Sequence, residues 1–184
     1  MNVSTVQRFY ANMCVLLDIL KDITPGVYEI QNILAEIKHT LSNWDDKDKE
    51  KCIELFIKKS IPYWNQKEVI NKENTFLQNK GDYIIIETVL KCSNLTKTED
   101  KQINILKQIF EDTKVNQEDV NIIWKFFIIF IKQGIKYIHE KRAPEHKIIN
   151  HIYMPKYKNS YMNNIDLSLY TKQWNVKLMW NVSK

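Results

Sequence analysis

Between positions 120 and 138 the chain is almost continuously apolar. Val120, Ile122, Ile123, Trp124, Phe126, Phe127, Ile128, Ile129, Phe130 and Ile131 are interrupted only by Asn121 and Lys125. Strands typically run about 3–10 residues, so this run is too long for one. Ile135, Tyr137 and Ile138 return at helical spacing, which predicts a single helix buried on most of its surface. Asn116 and Asp119 supply a cap and an acidic first turn, Lys136, Lys141 and Arg142 suit the C-terminal dipole, and Pro144 stops the helix. A membrane span needs about 20 mostly apolar residues. Lys125, Lys132 and Lys136 fall inside this window, so a core helix with no membrane span is expected.

The remaining pattern supplies amphipathic partners. Ser4 or Thr5 caps a first helix carrying Val6, Phe9, Tyr10, Met13, Leu16, Leu17 and Leu20 at three- and four-residue steps. Thr24-Pro25 predicts the start of a second, with Val27, Ile30, Leu34, Ile37, Leu41 and Trp44 as its stripe. Asp45, Asp46 and Asp48 open a third, whose inner side is Cys52, Ile53, Leu55, Phe56 and Ile57 and which Pro62 ends. Positions 65–79 are polar, anchored only by Val69, Ile70, Phe76 and Leu77, and predict a weak helix or a long loop. Ile84-Ile85-Ile86 fits strand or buried helix; Asp82 as a cap favours helix over 83–91. Thr96 and Glu99 form a capping box ahead of Ile103, Leu106, Ile109 and Phe110.

After Pro144 the period changes. Trp174, Val176, Leu178, Trp180 and Val182 alternate with Asn175, Lys177, Met179 and Asn181, and Ile165, Leu167 and Leu169 alternate before them. Two alternating runs joined by 170–173 predict a hairpin, which must dock on the helices or on a partner because an isolated hairpin is marginal in water. The expected architecture is mainly α. It is a single-domain helical bundle over 1–143 around a buried central helix near 120–139, with a β-hairpin-like arm over 144–184.

Charge sharpens the view of the arm. The formal net charge is +5, and 141–184 holds eight Lys and Arg against Glu145 and Asp166, net +6, so 1–140 sums to −1. Lys141, Arg142, Lys147, Lys156, Lys158, Lys172 and Lys177 could neutralise phosphates, and Tyr153, Tyr157 and Tyr161 could stack on bases. Nucleic acid is therefore one partner class. The other is protein, another chain or a second copy, met through Leu167, Leu169, Trp174, Val176, Leu178 and Trp180 by strand addition or a helix face.

Catalytic patterns are missing from the sequence. The three glycines form no phosphate-cradling loop. His139, His146 and His151 lack partners at zinc spacing, and Asp45, Asp46 and Asp48 suit a solvated helix start, so no metal or cofactor is expected. Cys14, Cys52 and Cys92 sit in apolar stripes without spacing that pairs them, which predicts reduced core thiols and a cytoplasmic location. The expectation is a non-catalytic protein–protein interaction module, with nucleic-acid binding as the alternative. Lysine outnumbers arginine 25 to 2, with heavy use of Asn and Ile, a bias of AT-rich genomes that large DNA viruses share. A viral protein would meet a host regulator or a virion subunit in the host cytoplasm.

A buried apolar helix entered by a short link from an amphipathic one resembles the centre of the Bcl-2 fold, which implies an apoptosis regulator. That family carries Asn-Trp-Gly-Arg at this junction. Here two isoleucines separate Asn121 from Trp124, and Lys125 follows with no glycine. The resemblance covers about a fifth of the chain, and the specific residues of the motif are not matched.

Overall fold

The computed structural model describes residues 3–93, 104–142, 162 and 164–178, and the backbone of 148–149 and 152–153. The fold is mainly helical. Its centre is the expected helix, Gln117–Arg142, 26 residues long. Asn116 Oδ1 accepts from the Asp119 amide at 2.8 Å and so starts it. The buried side runs through Val120, Ile123, Trp124, Phe127, Phe130, Ile131, Ile135, Tyr137 and Ile138. Phe126, Ile128 and Ile129 are half-buried, while Asn121 and Lys125 face solvent. The helix is thus covered on one broad side rather than all round.

Helix α1, Thr5–Ile23, is capped by Ser4 and lies along this central helix. Thr5 Oγ1 donates to Glu140 at 2.7 Å, so the start of α1 meets the end of the central helix and the two run antiparallel. Helix α3, Asp46–Ser60, packs against both. Asp45 and Asp48 close a reciprocal capping box at its start. Between the three helices Phe9 and Phe130 rings lie 5.0 Å apart, and Phe56 sits 5.4 Å from Phe9 and 5.7 Å from Phe130. Burying each such ring contributes about 1.5–3 kcal/mol.

Helix α2, Tyr28–Leu41, starts later than the Thr24-Pro25 signal predicts. Thr24 instead closes α1: its amide bonds to Lys21 O and its hydroxyl to Leu20 O. Gln31 Nε2 then donates to the carbonyls of Lys21 and Thr24, at 2.6 and 2.7 Å. Those bonds hold 24–27 as a turn, and the stripe Ile30, Leu34, Ile37, Leu41 is buried as expected.

Pro62 ends α3 in a short 3₁₀ turn, Ile61–Tyr63. The ambiguous 65–79 stretch folds as two short helices, α4 Lys67–Ile70 and the start of α5, Asn74–Gly81, joined where Lys72 takes φ 52°. Val69, Phe76 and Leu77 are the buried anchors. Helix α5 continues without a break through a π-turn, Asp82–Ile86, into α6, Glu87–Cys92. The helical reading of 83–91 therefore holds, but Asp82 does not cap it. Its carboxylate accepts from the amides of Leu106 and Lys107, both at 3.0 Å, and caps helix α7, Ile105–Glu111. Gly81 allows that approach, because a Cβ there would lie 2.8 Å from Leu106 Cδ1. The capping box expected at Thr96 and Glu99 lies outside the described residues. The central helix, Gln117–Arg142, follows as α8.

The arm departs from the hairpin expectation. Where Ile165, Leu167 and Leu169 alternate, the chain forms a helix, α9, Leu167–Gln173. Antiparallel pairing among the described residues lies earlier. There β1, Ile148–Ile149, meets β2, Ile152–Tyr153, with Ile148 opposite Tyr153.

Candidate interaction surface

Helix α9 is made by its ends. Asp166 Oδ1 accepts from the Ser168 amide and hydroxyl, at 3.1 and 2.6 Å, and opens the first turn. These bonds, from the hydroxyl first, hold the Asp166 carboxyl below its usual range. Asn175 takes φ 52°, the left-handed conformation that asparagine tolerates. The Val176 amide then reaches back to Thr171 O and Asn175 to Lys172 O, which closes the helix as a Schellman motif.

One side of this short unit is pinned to the bundle. Trp174 is buried, and its Nε1 donates to Trp64 O at 3.2 Å. The Tyr170 ring meets the Trp64 ring edge-on at 5.2 Å, and burial pushes the Tyr170 hydroxyl up. Trp64 is itself fully buried and donates to Ser60 Oγ at 2.9 Å. From α8, Arg142 Nε donates to Met162 O at 2.6 Å and a terminal nitrogen reaches Ile165 O.

The other side is open. Leu169 is 54% exposed. It stands over a cleft of about 350 Å³ whose apolar walls are Ile61, Pro62, Ile165 and Tyr170, with Asn164 and Asp166 at its polar edge.

The six residues expected to meet a protein partner therefore divide. Leu169 is exposed, Leu167 and Leu178 are half-buried, and Trp174 and Val176 are buried against the bundle. Trp180 lies outside the described residues. Of that alternation, Trp174 and Val176 anchor the segment that closes the docked helix, while Leu169 faces out. The proposed phosphate contacts divide as well. Lys141 pairs with Glu50 and sits over the Tyr137 ring, and Arg142 donates inward. Lys172 and Lys177 are exposed. Lys147, Lys156, Lys158, Tyr157, Tyr161 and the side chain of Tyr153 lie outside the described residues. The cleft walls Ile61 and Pro62 went unrecognised as surface; the proline ending a helix was the signal there.

A polar cluster links α8 to α3. Tyr137 Oη lies 2.8 Å from Glu50 Oε1 and 2.6 Å from Glu54 Oε1. Burial first, then the two carboxylates, push the Tyr137 hydroxyl up, so it keeps its proton. The ammonium of Lys141, as a hydrogen-bond donor, holds the Glu50 carboxyl below its usual range. One phenolic proton facing two carboxylates makes an interhelical clasp.

Among the described residues, no three His, Cys, Asp or Glu side chains are grouped to hold a metal, and no helix is long and apolar enough to cross a membrane. No family model, curated protein or solved structure matches the chain.

Proposed function

We propose that this chain is a non-catalytic protein–protein interaction module that meets its partner through the cleft beside α9. The observation that carries this is Leu169, exposed at the edge of a cleft walled by Ile61, Pro62 and Ile165, on a helix whose opposite side is fixed to the bundle. A lone exposed leucine is ordinary. An exposed leucine over an apolar cleft on a rigid support is the form of a helix-in-groove contact. A stable interface buries about 1,200–2,000 Å² in total, so the cleft would be the centre of a wider footprint. In this reading the chain works in the cytoplasm, where unbridged cysteines stay reduced. Its lysine-rich, AT-type composition fits a viral protein acting on a host regulator or a virion subunit.

The test compares the full chain with Leu169→Glu and, as a control, Lys172→Gln. Each is checked for unchanged melting before pull-down and sedimentation velocity. A partner or self-association kept by the control and lost by Leu169→Glu supports the cleft. Identical behaviour of all three overturns it. A gel shift with single-stranded DNA and RNA at about 50 mM salt runs alongside. Binding that falls steeply with salt, survives Leu169→Glu and vanishes in Lys156→Glu with Lys158→Glu would move the function to the basic arm.

A further inference from the structure

The outer sides of α1 and α8 carry charge in a pattern that mirrors itself. Along α1, Arg8, Ala11, Val15, Asp18 and Asp22 recur at steps of three and four, and all are exposed. On α8 the stripe is Glu118, Ile122, Lys125, Ile129, Lys132 and Lys136, with Ile129 and Lys132 half-buried and the others exposed. Helix α3 covers both helices from within, through the Phe9, Phe56 and Phe130 rings, so the two stripes lie side by side on the outside. Each stripe ends on opposite charges: Arg8 and Asp22 on α1, Glu118 and Lys136 on α8. None of these four forms an ion pair among the described residues. Apolar side chains lie between them, with Val15 46% and Ile122 36% exposed. We propose that this face is where two copies of the chain meet, about a twofold axis that crosses α1 at Val15 and α8 at the level of Phe127.

The bundle itself fixes that axis. Reversing α1 about Val15 puts Arg8 of one copy against Asp22 of the other. Reversing α8 about Phe127 puts Glu118 of one copy against Lys136 of the other. One axis does both only if the two centres lie at the same level, and they do. Thr5 bonds to Glu140, so Val15, ten residues further along α1, stands level with Phe130. Phe9 meets Phe130, which sets Val15, six residues further, level with Trp124. Phe127 is midway, and helices of equal rise keep the spacings matched. The parallel alternative, with α1 of one copy on α8 of the other, would set Asp22 beside Glu118 and Arg8 beside Lys136, so like charges exclude it. The twofold contact is self-complementary and closes at two copies. From Glu118 to Lys136 α8 rises about 27 Å, and two helices side by side are about 20 Å wide, so the pair buries about 1,100 Å² in total. That is the lower edge of specific interfaces, which makes this a weak dimer that forms at high concentration. No residue of either stripe lines the cleft beside α9, and the proposal does not rest on it.

The test follows the full chain by sedimentation velocity from about 1 to 500 μM, with each variant first checked for an unchanged melting temperature. The unaltered chain should pass from monomer to dimer across that range. Val15→Asp sets two carboxylates together on the axis, while Arg8→Glu and Asp22→Arg each set like charges together twice. Each should weaken the dimer by about tenfold or more. Mixing Arg8→Glu with Asp22→Arg should restore it, because both ion contacts of the mixed pair then join opposite charges. The chain carrying both changes should dimerise alone. A monomer at the highest concentration overturns the proposal. So does a dimer that Val15→Asp leaves intact, or a mixture of folded Arg8→Glu and Asp22→Arg that stays monomeric. A dimer lost in Leu169→Glu and kept in Val15→Asp overturns it as well, and moves self-association to the cleft.

Discussion

Gly134 of α8 lies against the indole of Trp64: a Cβ at Gly134 would stand 3.1 Å from Trp64 Cη2 and 3.2 Å from Ile57 Cγ1. Trp64 is fully buried and tied to Ser60, so it has no room to give. Alanine at 134 would gain about 1 kcal/mol of helix propensity. Overpacking costs about 1–3 kcal/mol. Gly134→Ala should therefore lower the melting temperature, and Gly134→Leu lower it much further, in a calorimetric scan. A rise with alanine would show that the α8–Trp64 contact is looser than this.

Trp174 holds α9 to the same tryptophan. Trp174→Ala removes a buried ring and the bond to Trp64 O, and should cost about 3–5 kcal/mol. Leu169→Ala, on the open side of α9, should stay within about 0.5 kcal/mol. Urea titration of both separates anchor from surface; equal costs would mean that α9 does not dock as described.

The clasp between α8 and α3 has an acid limb. The Glu50 carboxyl is held below its unfolded value, chiefly by Lys141, so its contribution is present above about pH 4.3 and is lost as pH falls through the lowered value. Glu50→Gln should weaken the protein at neutral pH and flatten the fall in stability below about pH 4. Tyr137→Phe should cost about 1.5–3 kcal/mol at pH 7, since it strips a donor from carboxylates. An unchanged acid profile in Glu50→Gln would remove Lys141 as the cause.

Asp82 acts in the opposite sense. Burial raises its carboxyl to about 6, over the lowering effect of the α7 amides it caps. The folded state then holds a proton that the unfolded chain releases near pH 3.9. This part of the stability is full below about pH 4 and falls as pH rises towards 6, by about 2–3 kcal/mol at most. Asp82→Asn should abolish that decline in melting temperature between pH 4 and 6. A decline of the same size in the variant would assign it to another group.

The sequence displayed α8, α1 and α3 because long apolar runs and caps at Ser4, Asp45 and Asn116 are local signals. It hid what depends on distant partners. Thr24 carries a helix-start signal, yet Gln31 draws the carbonyls around it into a turn. Asp82 looks like the cap of its own helix and serves one that begins at Ile105. Helix α9 has seven residues, fewer than two turns, so Ile165, Leu167 and Leu169 register as period two and the 3.6 period never has room to show. Of the cleft, Leu169 was visible as a partner-contact position in an alternating run, whereas Pro62 was visible only as a helix stop and Ile61 carried no signal.

The π-turn at Asp82–Ile86 bears on how the chain tolerates insertion and deletion. A π-turn is an α-helix that has taken in one residue without unwinding. Upstream, α5 is locked by Gly81 against Leu106; downstream, α6 is locked against α3. Neither half is free to turn by the roughly 100° that one residue demands. The surplus is held in the wide turn instead, where Tyr83 stands 45% exposed. This helix therefore carries one residue of slack. Losing Tyr83 would straighten it and leave both halves in place, whereas losing one residue from the middle of α8 would swing half of the core out of register.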